Sequence, residues 1–213
     1  MMKELAQADE QAFAAQPDGG RALWPMAADA PALVANDDLS LPLVFGAALS
    51  RPECLALRDL HAKRPAQLHS LLVPIEDYRH AQTWYVEPGE AAWAFDRLAS
   101  VAQRANRRYR LEVAAICEPL LLVRYVTGGH FSWHPDTGLG ILSMRKISLS
   151  IQLSDPQDYD GGALEFSNVG EASLSRALGT AIAFPSHFSH RVTPVTRGER
   201  WSLVGWIHGP ALR

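Results

Sequence analysis

In the stretch Arg145-Lys-Ile-Ser-Leu-Ser-Ile-Gln-Leu153 every second residue is aliphatic, so Ile147, Leu149, Ile151 and Leu153 share one face of an extended chain and Ser148, Ser150 and Gln152 the other. The aliphatic face needs a core. The polar face either meets solvent or lines a pocket inside a rolled sheet. Further short apolar runs, broken by Gly, Pro, Asp and Asn, lie to both sides: Leu111 to Cys117, Leu120 to Val126, Ala163 to Phe166, Thr180 to Phe184, His190 to Pro194 and Trp201 to Ile207. Strands this short and this evenly spaced predict a sandwich or jelly roll.

Upstream the period changes. Ser50-Arg51-Pro52-Glu53 reads as a helix start, with a helix to about Lys63 whose buried side is Leu55, Leu57, Leu60 and His61. Glu87-Pro88-Gly89-Glu90 opens the longest helix, with Ala91, Phe95, Leu98, Val101 and Ala102 at three-to-four spacing and an end near Arg107-Arg108. Residues 1–30 carry a short helical pattern around Lys3 to Ala15 and a turn at Gln16-Pro17-Asp18-Gly19-Gly20, which predicts a loosely attached leader. Helices first and strands after give an α+β expectation in which the helices pack on one sheet. The expected organisation is one domain over 1–213: the leader, a helical support region over 31–110, and the strand-rich core over 111–210.

The 213 residues are 47% apolar, with 15 Gly and 14 Pro, which suits one globular core. A net charge of −3 without a basic block argues against binding to a nucleic-acid backbone. No window approaches 18 consecutive apolar residues, and Met1 to Asp18 lacks an apolar export segment, so a soluble, unexported, cytoplasmic protein is expected, with no membrane partner. Cys54 and Cys117 are the only cysteines and suit reduced structural thiols. With eight histidines beside two cysteines, a metal site would be built from imidazole and carboxylate.

The densest chemistry lies in Tyr125-Val-Thr-Gly-Gly-His-Phe-Ser-Trp-His-Pro-Asp136. Pro135 keeps the chain extended, so His134 and Asp136 point the same way and can meet one ion. By composition a chance His-x-Asp is expected about 0.45 times, so the pair alone carries little. His190 and His187 compete to be a third ligand. Two imidazoles and a carboxylate on one face, with open positions opposite, is the arrangement of non-haem Fe(II) oxygenases. Arg200 opens a run in which Arg200, Ser202, Val204 and Trp206 share a face, and an inward guanidinium there would call for a carboxylate, with Ser202 adding a hydrogen bond. Gly128-Gly129 is read as preceding the ligand strand, Gly161-Gly162 as a hairpin turn, and Gly198 as a turn that sets His190 and Arg200 on adjacent strands. His130 and His208 suit structural roles.

Together Tyr125-x-x-Gly128-x-x-Phe131-x-x-His134-x-Asp136, Leu153-Ser-Asp-Pro-Gln-Asp-Tyr-Asp-Gly-Gly-Ala-Leu-Glu-Phe166, Phe184-Pro-Ser and His190-Arg-Val-Thr-Pro-Val-Thr-Arg-Gly-Glu-Arg200 resemble the 2-oxoglutarate and Fe(II)-dependent oxygenases, within them the prolyl-4-hydroxylase-like, PKHD-type hydroxylase group. The resemblance covers about residues 111–210. It implies a double-stranded β-helix (jelly roll, cupin-like) core. His134, Asp136 and His190 would be the iron ligands, since His190 and not His187 has the family spacing to Arg200. Arg200 would pair with the far carboxylate of 2-oxoglutarate. Tyr125 and Gln152 fall where relatives contact the cosubstrate, Gln152 being a departure from the usual residue. Trp206 falls where relatives place an indole near the cosubstrate, the other reading being a core tryptophan. Arg145 stands as a pocket-mouth residue or a surface salt bridge.

The implied cofactors are Fe(II), 2-oxoglutarate and O2, with ascorbate as an optional reductant. The implied reaction hydroxylates a C–H bond with release of succinate and CO2. The substrate would be a prolyl or other residue in a protein or peptide, with a free amino acid or peptide-like natural product as the alternative. Because Asp136 is present where related halogenases carry a small residue, hydroxylation is favoured over halogenation. A non-catalytic metal- or ligand-binding module, or a cupin-like isomerase, is the reading of another class.

Overall fold

The computed structural model describes residues 35–63, 78–169 and 174–211. The expected leader, with its helix and turn, lies outside them. Asp38–Arg213 forms one compact unit. Its elements run β1 (Leu43–Phe45), α1 (Arg51–Asp59), β2 (Arg79–His80), β3 (Gln82–Val86), α2 (Pro88–Tyr109), β4 (Leu120–Val126), β5 (His130–His134), β6 (Arg145–Gln152), β7 (Tyr159–Gly161), β8 (Leu164–Phe166), β9 (Ala181–Pro185), β10 (His190–Val192) and β11 (Val195–His208). Among the described residues no helix is long and apolar enough to cross a membrane.

Two antiparallel sheets make the double-stranded β-helix. The larger has the order β1-β9-β6-β11-β4-β3, with β7 beside the start of β11, and the smaller has the order β2-β5-β10-β8. On β6 the alternation resolves as the pocket alternative: Ile147, Leu149 and Ile151, with Leu153 just beyond, are fully buried against the helices, and Ser148, Ser150 and Gln152 are buried on the other face. The aliphatic face packs with Ala94, Leu98, Val101, Ala102 and Ala105 of α2 and with Cys54 and Leu57 of α1. Each large side chain so buried contributes about 1.5–3 kcal/mol, enough to fix which face of the sheet turns inward.

Both helices start where the sequence says. Ser50 and Glu53 form a reciprocal capping box, and Pro88 opens α2 with Glu87 and Glu90 capping each other's backbone. The end of α2 overruns the expected Arg107-Arg108 by one residue and is closed by Arg110 in the left-handed region. The buried side of α1 is Cys54 and Leu57; Leu55 is 47% exposed, because at helical periodicity it falls a quarter-turn off the stripe.

Three other expectations are corrected. Leu111 to Cys117 is no strand: Ala115 alone bridges, to His208 at the end of β11, past Val204, where the pairing with β4 stops. Gly161-Gly162 does not close a hairpin, since β7 pairs with β11 while β8 pairs with β10. The two glycines instead carry the chain from one sheet to the other, and Gly162 N–H donates to Pro194 O. Gly198 lies inside β11, not in a turn, and His190 and Arg200 stand on opposite sheets, the chain crossing between them at 193–194. They still face one cavity.

At Gly198 φ is +72° and a Cβ would sit 2.0 Å from Asp158 O, so the β7–β11 pairing requires glycine. Gly198→Ala is expected to cost about 1–3 kcal/mol, read as a lower urea midpoint. Gly46→Ala, where a Cβ meets nothing within 4 Å, is expected to leave the midpoint nearly unchanged.

Candidate functional site

His134 ends β5 and His190 opens β10, and the two are direct cross-strand partners. Pro135 then carries Asp136 back over them, where its N–H donates to Ser186 O at 2.9 Å. The three side chains, all buried, place their ligating atoms within 4.8 Å of one another. Nε2 of His134 lies 4.0 Å from Asp136 Oδ1, and Nε2 of His190 lies 3.8 Å from Asp136 Oδ2. His187, the competitor, is exposed.

Each ring is oriented from behind. Nδ1 of His134 faces Ser132 O at 2.7 Å and Nδ1 of His190 faces Phe188 O at 3.0 Å, so both Nδ1–H groups donate and both Nε2 lone pairs point at the shared centre. Ser148 Oγ donates to Asp136 Oδ2 at 2.6 Å, leaving Oδ1 free. Burial, then the neighbouring His190, pull the His134 pKa down to about 4, which keeps its imidazole neutral and able to ligate. Two nitrogens and one oxygen on one side of a cavity fit a divalent ion of the Fe(II) class with positions left open.

Across the cavity β11 supplies a second set. Its register places Arg200 beside Tyr125 of β4, Ser202 between Val123 and Gln152, Val204 between Leu121 and Ser150, and Trp206 beside Ser148. These rows form the inward face of the larger sheet. They bound a cavity of about 310 Å³ that His134, Asp136 and His190 close from the smaller sheet. Arg200 is 1% exposed, yet none of its three nitrogens has a hydrogen-bond partner among the described residues. Its guanidinium carbon stands 5.6 Å from the centre of the Tyr125 ring, whose hydroxyl pKa burial pushes up. A charge buried without a counter-ion costs several kcal/mol, so this arrangement fits an anionic ligand supplied from outside the chain.

Tyr125, Ser202, Trp206 and Arg145 line the cavity with Arg200. Gln152 lies directly opposite Ser202 and is buried, outside the cavity lining, its Oε1 without a donor among the described residues. Trp206 Nε1 is likewise buried and unpartnered. Arg145 is at the mouth: its Nε donates to Glu118 Oε1 at 2.7 Å, its Nη1 to Asp136 O at 3.2 Å, and its guanidinium lies 3.7 Å over Trp206. Glu118, held below the usual carboxylate range by Arg145 and His208 against the opposing effect of burial, also accepts from His208 Nε2 at 2.8 Å. The buried His208 and the partly exposed His130, whose Nδ1 faces Gly128 O, have the structural roles expected of them.

Several participants escaped the sequence reading. Ser148 was visible on its strand face but not as the donor to Asp136. Glu118, Tyr78 and Arg79 carry no local signal, because each reaches the cavity only through tertiary packing.

Residues 120–208 match the model of the 2OG-Fe(II) oxygenase superfamily. A PKHD-type hydroxylase of Sphingopyxis alaskensis is 46% identical over 95 residues, 42% of this chain and 43% of that protein, so the aligned stretch spans less than half of the relative's length. A Pseudomonas putida prolyl-4-hydroxylase superposes with a TM-score of 0.65 at 22% identity, covering 82% of this chain and 97% of that one. A prolyl hydroxylase in complex with a hypoxia inducible factor peptide fragment, from Trichoplax adhaerens, superposes at 0.67 with 16% identity, covering 82% and 86%. The family resemblance drawn from the motifs therefore stands over the strand-rich half, and the fold is that of the prolyl hydroxylases.

Ser148→Ala removes the hydroxyl that orients Asp136 while leaving the chain's packing intact. Affinity for Mn(II), followed by its paramagnetic effect on water relaxation, is expected to fall roughly 10- to 100-fold, with the thermal midpoint nearly unchanged.

Proposed function

We propose that this protein is an Fe(II)- and 2-oxoglutarate-dependent dioxygenase that hydroxylates a C–H bond of a prolyl or other amino-acid residue in a protein or peptide. One observation carries the reading: the convergent His134, Asp136 and His190 share a cavity with Arg200, a fully buried guanidinium that lacks an acceptor. A structural metal site has no use for that arginine, and an anion-binding module has no use for the three ligands. Fe(II) with 2-oxoglutarate, when bound, supplies the chemistry that activates O2, placing one oxygen atom in the substrate and the other in succinate with loss of CO2.

The chain's part is holding and exclusion. His134 and His190 offer Nε2 because backbone carbonyls hold their Nδ1–H groups, and Asp136 is set by Ser148. Arg200 matches a carboxylate with two parallel hydrogen bonds, and Ser202 adds a hydroxyl. Leu121, Val123, Leu164, Phe184, Val192 and Val204 wall the cavity with hydrocarbon, which keeps water from the reacting centre. At the mouth Tyr78 packs edge to face with Phe131 beside His134, which lines the approach to the three ligands with aromatic carbon. Leu139 and Ile141, exposed on the turn between the rim residues Thr137 and Leu142, offer apolar contacts that a peptide would use and a free amino acid would not reach. The peptide complex of the Trichoplax structure supports the same reading.

Anaerobic addition of Fe(II) and 2-oxoglutarate is expected to give weak visible absorption, and air with a substrate peptide to give succinate in proportion to hydroxylated product. His134→Ala and Asp136→Ala are expected to lower succinate formation at least 100-fold. The reading fails if iron binds and 2-oxoglutarate does not.

Arg200→Met tests the anion site without turnover. The unliganded variant is expected to be at least as stable as wild type, because it no longer buries an unpaired charge. In wild type, 2-oxoglutarate at about 100 times its Kd should add ~2.7 kcal/mol, an increment the variant loses; differential scanning fluorimetry reads it as about 5–10 °C.

A further inference from the structure

Arg79 is a third arginine of the same cavity, beside Arg145 and Arg200, and neither the metal site nor the anion site employs it. It lies on β2, directly opposite Phe131 of β5, and its guanidinium carbon stands 4.6 Å from the centre of the Phe131 ring. Phe131 is in turn stacked on His134 at 3.5 Å, which brings the Arg79 charge within about 8 Å of the ligand imidazole, close enough to be felt in a low dielectric. Its Nε is buried without a hydrogen-bond partner, and no ion pair reaches its guanidinium among the described residues.

The cavity's own carboxylates are committed. Glu118 is held by Arg145 and His208, and Asp136 faces the metal centre. Granting the function proposed above, a divalent ion offsets Asp136 and leaves one positive charge over. The dianion of 2-oxoglutarate then offsets that charge and Arg200. Among the described residues Arg79 is left with no counter-ion, on the opposite sheet from Arg200 and beside the aromatic residues of the mouth, where the substrate would lie.

We propose that Arg79 determines substrate specificity by pairing with a carboxylate next to the carbon that is hydroxylated. The carboxylate is either the substrate's own terminal group or an acidic side chain beside the reacting residue in a peptide. The Phe131 ring lies against the guanidinium and restrains it without taking up an N–H donor. This inference rests on the dioxygenase reading, and 2-oxoglutarate binding tests that reading separately.

The experiment uses protein loaded with Mn(II) and 2-oxoglutarate, whose binding is verified first by the relaxation change on adding 2-oxoglutarate. Probe affinities are then measured from the paramagnetic broadening of their proton resonances. One pair is L-proline and L-prolinamide, and the other is acetyl-Ala-Glu-Pro-Ala-amide and its Gln counterpart. In at least one pair the carboxylate member is expected to bind ten-fold or more tightly than its neutral partner, and which pair does so identifies the source of the carboxylate. Arg79→Gln is expected to erase the preference while 2-oxoglutarate affinity stays within two-fold, and Arg79→Lys to keep part of it. Equal affinities within both pairs overturn the proposal, as does a preference that survives Arg79→Gln, or a wild-type protein that binds 2-oxoglutarate and none of the probes. If 2-oxoglutarate itself fails to bind, the dioxygenase reading falls, and this inference with it.

Discussion

An arginine side chain with three hydrogen-bonding nitrogens and a full charge lies inside this protein without a hydrogen-bond partner among the described residues. Burying such a group consumes several kcal/mol of a stability that is itself only about 5–15 kcal/mol, so the surrounding structure has to over-determine it. Long pairing does so. Arg200 lies on a fourteen-residue strand flanked by β4 and β6, and a slip of one residue on either side would turn Ser202, Val204 and Trp206 outward along with it. The cavity beside Arg200 has room for an anion that would offset its charge.

The same logic explains why helices stand on one sheet only. β6 is buried on both faces, by α1 and α2 on the aliphatic side and by the cavity on the serine side. Aliphatic packing fixes the strand's register, and that register in turn aims Ser148 at Asp136. Sites of this type need ligand atoms held to within about 0.5 Å, and rigid strands with locked backs achieve that more readily than loops. The helical core therefore acts on the chemistry through one hydroxyl, and not by contact.

The sequence exposed this design unevenly. The alternation in Arg145 to Leu153 was legible because one face had to be apolar, and the His134–Asp136 spacing because Pro135 keeps the backbone extended. What it hid was pairing at a distance. Neighbouring glycines at 161–162 read locally as a hairpin, whereas they serve a crossover tied to Pro194, some thirty residues on. His190 and Arg200 read as neighbours on adjacent strands, yet they reach one cavity from opposite walls. Residues 111–117 read locally as a strand, but a strand needs a partner along its length, and here only Ala115 meets one, at His208. Short strands such as β1, β2 and β3 escaped for a related reason: with two to five residues each, their stability comes from the neighbour they pair with.

The arginines around the cavity show how partners, and not location, separate roles. Arg145 lines the mouth as Arg79 does, and from position alone either would suit substrate recognition. Arg145, however, is bound through two nitrogens to Glu118, donates to the backbone carbonyl of Asp136 and covers Trp206. The tautomer of His208 is fixed as well, since Cys117 N–H donates to its Nδ1 and leaves Nε2–H for Glu118. All three nitrogens of Arg145 and both of His208 are engaged inside the protein, and the Arg145 charge is already paired with Glu118, so an arriving carboxylate would have to compete with a buried ion pair to use it. Arg79 carries no such commitment, and Phe131 restrains it without consuming a donor. A mobile cation on the surface would lose its rotamer freedom on binding, whereas one already stacked beside the metal ligands has given up most of it. That difference would let Arg79 hold an anionic substrate at a smaller entropic cost than a mobile surface cation.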